Sequence, residues 1–373
     1  MKDETGNKLK GLMDKAVAEK ELAGGCLLVR CHGEECCYLE AGMADVEEGK
    51  PIERDQIYRL YSMSKPVTGA AAMKLFEEGA LDLGQPVSAY LPSFQDSLVE
   101  QDGRLVKADR QIQVQDLLNM TSGLVYNGDA GLPGRHADAV FGELMERLWT
   151  DHPMTTRELA VRLGEGPLLF QPGSSWKYGS SADVLGAVIE AASGMSFGAY
   201  LEKNFFEPLG MKDTGFFVPE EKRDRLATVY QADGNGGLVP YLENHLGIIN
   251  AMDRKPAFES GGAGLVSTVD DYARFAQMLL NRGELDGVRV LKPRTVDYMT
   301  SGTLNGTQRE AFVKNFPTMP GYDYGNLVRV MREPGKSCTL NNAGEYGWDG
   351  WLGCYFANDP AADMTILFMM QKT

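Results

Sequence analysis

The stretch Tyr61-Ser62-Met63-Ser64-Lys65-Pro66-Val67-Thr68 decides how this chain is read. Pro66 is tolerated in the first turn of a helix, where its missing N–H has no intrahelical partner to lose. The Ala-, Met- and Leu-rich run from Val67 to Glu78, closed by Gly79, continues that helix. A helix beginning near Ser62 puts Ser62 and Lys65 on one face, one turn apart. An amine so placed can take the proton of the hydroxyl, and the positive end of the helix faces charge developing there. The chemistry requires a largely buried Lys65 whose pKa is lowered by desolvation or by positive neighbours. The bare S-x-x-K spacing also arises by chance, and Ser62 can equally serve as a helix cap. Ser64, adjacent to Lys65, does not share its face.

Further windows bear on the same chemistry. In Pro172-Gly173-Ser174-Ser175-Trp176-Lys177-Tyr178-Gly179-Ser180, a turn leads through a polar-aromatic loop into a helix. Tyr178 there either packs with its hydroxyl satisfied or points into a cleft as a general base. In Gly344-Glu345-Tyr346-Gly347-Trp348-Asp349-Gly350-Trp351-Leu352-Gly353, the glycines let backbone pass close to a ligand. The strand that follows can offer the Trp351 N–H as one oxyanion donor, with the Ser62 N–H as the other. The alternative is a Gly-rich turn into an edge strand. Gly261-Gly262-Ala263-Gly264-Leu265 reads as a tight turn supporting the core. Gly194-Met195-Ser196-Phe197-Gly198 fits the G-x-S-x-G pattern but follows a helix instead of a strand, so Ser196 reads as a cap.

Outward from these windows, Lys8 to Glu19 has helical spacing, Gly24 to Arg30 reads as a strand, and Cys36 to Ala41 returns it. From Ser62 to about Val239 helical signals dominate: Val114–Met120, Thr155–Arg162, Ala182–Ala192 and Phe197–Phe206. The segment Asp129–His152 reads as a surface excursion. A helix over Asp270–Leu280 then precedes strand signals at Tyr324–Met331, Cys338–Asn342, Trp351–Ala357 and Met364–Met370. The economical architecture is an α/β (α+β) sheet domain from residues 1–61 and 245–373, interrupted by a mostly helical domain, 62–244. Its sheet is largely antiparallel because short turns join most strands, and the site lies at the interface.

The net charge of -15, from 52 acidic against 37 basic residues, disfavours nucleic acid and anionic membrane as partners. No run of 18 apolar residues occurs, and the start Met1-Lys2-Asp3-Glu4 lacks the features of a signal peptide. Cys26, Cys31, Cys36, Cys37, Cys338 and Cys354 have neither zinc-site nor C-x-x-C spacing, which points to a cytoplasmic protein with reduced thiols. His32, His136, His152 and His245 have no metal-ligand spacing, so neither metal nor cofactor is expected.

Taken together, the motifs resemble the serine β-lactamase and penicillin-binding-protein superfamily. The class C-like branch, with family VIII carboxylesterases, D-aminopeptidases and related acyltransferases, is most similar. The resemblance runs over nearly the whole chain. It rests on Tyr61 to Pro66, on Asp116-Leu117-Leu118-Asn119-Met120-Thr121-Ser122-Gly123-Leu124, on Pro172 to Tyr178, on Glu207-Pro208-Leu209-Gly210-Met211, and on Gly261 to Leu265. It implies a β-lactamase-like fold, a mainly antiparallel sheet flanked by helices with an inserted helical domain. It also implies Ser62 as acylated nucleophile, Lys65 as its activator, Tyr178 as base, and the Trp351 N–H in the oxyanion hole.

Trp348-Asp349-Gly350 stands where the family often has Lys-Thr-Gly, and Tyr178-Gly179-Ser180 where it usually has Tyr-x-Asn. Ser180, Trp348, Asp349 and Gly350 are therefore the expected substrate contacts. Ser180 cannot offer an amide's simultaneous donor and acceptor, and Trp348 removes a cation able to hold a β-lactam carboxylate. Both departures favour a carboxylesterase acting on a small-molecule ester. A D-stereospecific amidase or peptidase, an acyltransferase and, further off, a β-lactamase are the enzymatic alternatives. A binding protein on the same fold, without turnover, is the non-enzymatic one. Homo-oligomerisation is left open.

Overall fold

The computed structural model describes residues 3–373. Helix α1 (Asp3–Ala18) leads into a hairpin of strands β1 (Gly24–Cys31) and β2 (Glu34–Asp45), followed by the short β3 (Lys50–Pro51). His32 and Gly33 form the hairpin turn in left-handed backbone, φ 53° and 76°. The other strands come from the far end of the chain: β4 (Tyr322–Gly325), β5 (Val328–Met331), β6 (Tyr346–Asp349), β7 (Tyr355–Asp359) and β8 (Met364–Met370). Together they make an eight-stranded sheet in the order β4-β5-β6-β7-β8-β1-β2-β3, with every neighbouring pair antiparallel. Strand β8 is inserted between β7 and β1, in register from Gly25 opposite Met370 to Cys31 opposite Met364.

The burial of β8 alternates, with Thr365, Leu367 and Met369 turned inward, as a period of two demands of a strand with one covered face. Helix α2 (Ser64–Glu77) is apolar nearly all round, and Val67 through Met73 are buried, the pattern of a helix in the middle of a core. Helices α3 (Gly131–Arg147), α4 (Ser181–Ser193) and α5 (Val269–Leu280) complete the main framework. On α5, Tyr272 meets Phe356 of β7 at 5.4 Å between ring centroids. One apolar core runs without a break from Leu28 through Val67, Leu117 and Val188 to Leu367.

Several local expectations change. The presumed excursion 129–152 contains the 17-residue α3. Its Ala137, Val140, Phe141 and Leu144 are buried at spacings of three, four and seven, while Gly131, Pro133 and Gly134 occupy the first turn and disguise it. Tyr324–Met331 is not one strand but the end of β4, a tight turn and β5, with Asn326 and Leu327 in left-handed backbone, φ 51° and 66°. Residues 338–342 form no strand; they belong to the loop joining β5 to β6. The run from Trp351 opens with a turn, and β7 begins only at Tyr355. Among the described residues, no single helix is long and apolar enough to cross a membrane.

Candidate active site

Ser62 lies in a short 3-10 turn, Tyr61–Met63, that runs directly into α2. The turn is held from several sides. The Leu60 N–H donates to Leu265 O at 2.9 Å, the Leu265 N–H to Ser64 Oγ at 3.0 Å, and the Tyr272 hydroxyl to Met63 O at 2.9 Å. Tyr61, 1% exposed, sits in left-handed backbone with φ 44°. A bulky residue adopts that conformation only when its surroundings enforce it.

Lys65 is 0% exposed. Its Nζ lies 3.1 Å from Ser62 Oγ, 2.9 Å from Gly262 O and 3.3 Å from the Tyr126 hydroxyl. Burial pushes the ammonium pKa down to about 7, against the opposing pull of the Asp183 and Asp349 carboxylates. A substantial share of the amine is thus neutral near pH 7. With two N–H bonds and one lone pair, it can donate to Gly262 O and Tyr126 Oη while accepting from Ser62.

Tyr178 brings its phenol to the same place, with Lys65 Nζ 4.5 Å from the ring centroid. The protein packed around that hydroxyl raises its pKa, and hydrogen bonds from Ser62 and Trp348 act in the opposite direction. The Trp348 indole N–H donates to Tyr178 Oη at 3.2 Å.

The segment 261–265, expected to support only the core, also borders these groups. Gly262 turns its carbonyl to Lys65 and its N–H to Asp183 Oδ1 at 3.0 Å. A Cβ on Gly262 would lie 2.6 Å from Tyr126 Oη, so a side chain there has no room. Tyr126 and Asp183 were missed by the motif reading. Tyr126 bridges Lys65 and Asp183 through its hydroxyl, at 3.3 Å to each. Asp183, in the first turn of α4, also accepts from Ser260 Oγ at 2.5 Å, and burial raises its pKa. The signal for Tyr126 was its place just beyond Thr121-Ser122-Gly123; that for Asp183 was an acidic residue opening the helix after Tyr178.

The four expected substrate contacts fall in different settings. Ser180 is fully buried and donates to Val125 O at 3.0 Å, so its hydroxyl faces protein and holds the loop segment leading to Tyr126. Trp348 is 2% exposed and lies against Tyr178, Tyr324 and Phe316, with centroids 5.6, 5.1 and 5.7 Å away. It supports the phenol from beneath and leaves little surface for a ligand. Asp349 is partly buried, and that burial raises its carboxyl pKa against the opposing charges of Arg329 and Lys65. Gly350 presses on the nucleophile turn: a Cβ there would lie 2.2 Å from Leu60 O. Next to it, the Trp351 N–H has no hydrogen-bond partner among the described residues, nor has that of Ser62. The decoy Ser196 accepts from the Ala199 N–H at 3.3 Å and caps its helix.

The beta-lactamase family model matches residues 9–373. Protein Rv1367c of Mycobacterium tuberculosis is 34% identical over 342 residues, covering 89% of this chain and 81% of that protein. Esterase EstB of Burkholderia gladioli is 30% identical over 380 residues, covering 97% of this chain and 89% of that protein. Among solved structures, EstCE1, described as a hydrolase with promiscuous acyltransferase activity, superposes with a TM-score of 0.82 at 27% identity, covering 98% of this chain and 93% of its own. The antiparallel sheet with α2 behind it, the S-x-x-K turn and a match over almost the full length lead to one conclusion: this chain belongs to the beta-lactamase family.

Proposed function

We propose that this protein is a serine hydrolase that cleaves carboxylic esters through an acyl-enzyme on Ser62. The observation that carries the reading is the fully buried Lys65 amine, held near neutrality 3.1 Å from the Ser62 hydroxyl. Neutral Lys65 takes the hydroxyl proton as Oγ bonds to the substrate carbonyl carbon. The carbonyl oxygen becomes negative between the N–H groups of Ser62 and Trp351. The C–O bond to the alcohol then breaks. Tyr178, a neutral phenol that burial keeps protonated, gives its proton to the departing alkoxide and recovers one from Lys65. Water enters by the reverse sequence and releases the acid, so one ester and one water yield one acid and one alcohol.

An ester suits this site better than a β-lactam, because the residue at the third motif is the buried Trp348 instead of a cation. The test is a fluorophosphonate probe followed by intact mass and peptide mapping, together with turnover of p-nitrophenyl butyrate. One adduct on the Ser62 peptide is expected, with butyrate turnover lowered at least about a thousandfold in Ser62→Ala. Unchanged turnover in that variant, or a probe adduct elsewhere, excludes the mechanism. The similarity to EstCE1 favours a second outcome at the same acyl-enzyme, transfer to an alcohol in place of water. Transesterification products in the presence of added alcohol measure it. D-amino-acid amides and a cephalosporin, assayed in parallel, separate amidase and β-lactamase activity from esterase activity.

A further inference from the structure

Two tryptophans stand at the end of β6 in opposite circumstances. Trp348 is shut away beneath Tyr178, whereas Trp351 leaves 41% of its surface exposed although it adjoins the nucleophile turn. The Trp351 indole is nevertheless fixed. The His245 ring stacks on it with centroids 4.2 Å apart and planes 29° from parallel. Tyr61 and Tyr241 meet it edge-on at 5.0 and 5.7 Å. The segment carrying His245 and Tyr241 is itself tied down. His245 and Ile248 exchange backbone hydrogen bonds of 3.3 and 2.9 Å, and the Asn250 side chain donates to Tyr241 O at 2.8 Å. Burial lowers the His245 pKa and so favours the uncharged ring in the stack.

An exposed ring whose orientation is already set loses little conformational freedom when a second ring stacks on it. Its location assigns the part of the substrate that would do so. The indole packs against Tyr61, the residue before Ser62, and the departing alkoxide belongs at Tyr178, so the acyl substituent left on Ser62 is the arm this ring would meet. We infer that the Trp351–His245 stack is a recognition platform for a planar aromatic acyl group. This rests on the acyl-enzyme reading above.

The experiment compares kcat/KM for p-nitrophenyl benzoate with that for p-nitrophenyl butyrate, two esters sharing one leaving group. It uses the full chain and the variants Trp351→Leu and His245→Leu. The benzoate-to-butyrate ratio is expected to fall about tenfold in Trp351→Leu and at least about threefold in His245→Leu, the range of aromatic pairing energies. Trp351→Phe, which keeps a ring, is expected to hold the ratio within about threefold of the parent and serves if the leucine variant fails to fold. A ratio that falls less than threefold in His245→Leu and in any folded Trp351→Leu, whatever the absolute rates, overturns the platform. Fluorophosphonate labelling of Ser62 in the parent and each variant is the separate control. Its absence in the parent sinks the acyl-enzyme reading, whereas labelling with an unmoved ratio sinks only the platform.

Discussion

The Trp348 indole N–H donates to the Tyr178 phenol oxygen at 3.2 Å, from a ring that is itself almost wholly enclosed. The bond favours the phenolate and partly offsets the burial that keeps the phenol protonated. Trp348→Phe removes the donor and retains an aromatic packer. Acylation, measured as kcat/KM for a nitrophenyl ester, is expected to fall about three- to tenfold, the worth of one hydrogen bond.

The Lys65 amine sets the acidic limb of activity. The limb is expected near pH 7, because protonated Lys65 cannot accept from Ser62. Asp183 opposes the lowering, its negative charge favouring the ammonium form. Asp183→Asn keeps the shape and removes that charge, so the limb moves to lower pH. A kcat/KM profile from pH 5 to 9 checks the direction, and a shift to higher pH contradicts the assignment.

Stability carries the same signature. In the folded chain Lys65 releases its proton near pH 7, against an ordinary value of 10.5 when unfolded. Between those values the unfolded chain binds more protons, so this group's contribution to stability rises with pH from about 7 to 10.5 and is least below 7. Lys65→Met removes the penalty. The variant is expected to be inactive yet more stable at neutral pH, on the order of a few kcal/mol. The advantage shrinks as pH approaches 10.5, and denaturant melts at pH 7 and 10 make the comparison.

Gly350 tests how the end of β6 holds the nucleophile. Its missing side chain lets the backbone sit where a Cβ would lie 2.2 Å from Leu60 O. Gly350→Ala must push the two segments apart. Since a displacement of about 1 Å at a reacting centre lowers rates about a hundredfold, acylation of Ser62 is expected to slow by that order. Stopped-flow release of nitrophenol measures the acylation rate directly.

What the sequence made legible was local. Ser62, Lys65 and Pro66 lie within one turn, so helix geometry alone puts hydroxyl and amine together. The apolar run Met364–Met370 likewise announces β8. Tyr126 and Asp183 were not legible, because long-range contacts bring them to Lys65. Ser122 and Ser181 pair their hydroxyls at 2.8 Å, and Ser180 donates to Val125 O across 55 residues of sequence. Helix α3 was hidden by glycines and a proline that a first helical turn accommodates. The β4–β5 hairpin was hidden because Leu327 takes a left-handed turn position where glycine or asparagine is the usual marker. The burial of Trp348 was not legible for a different reason. Motif order placed its backbone, whereas the direction of its side chain depends on Tyr324 and Phe316, from other elements.

The insertion of β8 between β7 and β1 bears on how the molecule is made. While the chain emerges from the ribosome, β1 has β2 on one side and nothing on the other, because its second partner spans Met364–Met370. At about 5–20 residues per second, that edge waits on the order of tens of seconds for its neighbour. Nascent chains stalled ahead of Met364 therefore present an open strand able to pair with another chain. Chaperone capture, or aggregation in its absence, is expected to end once β8 is released.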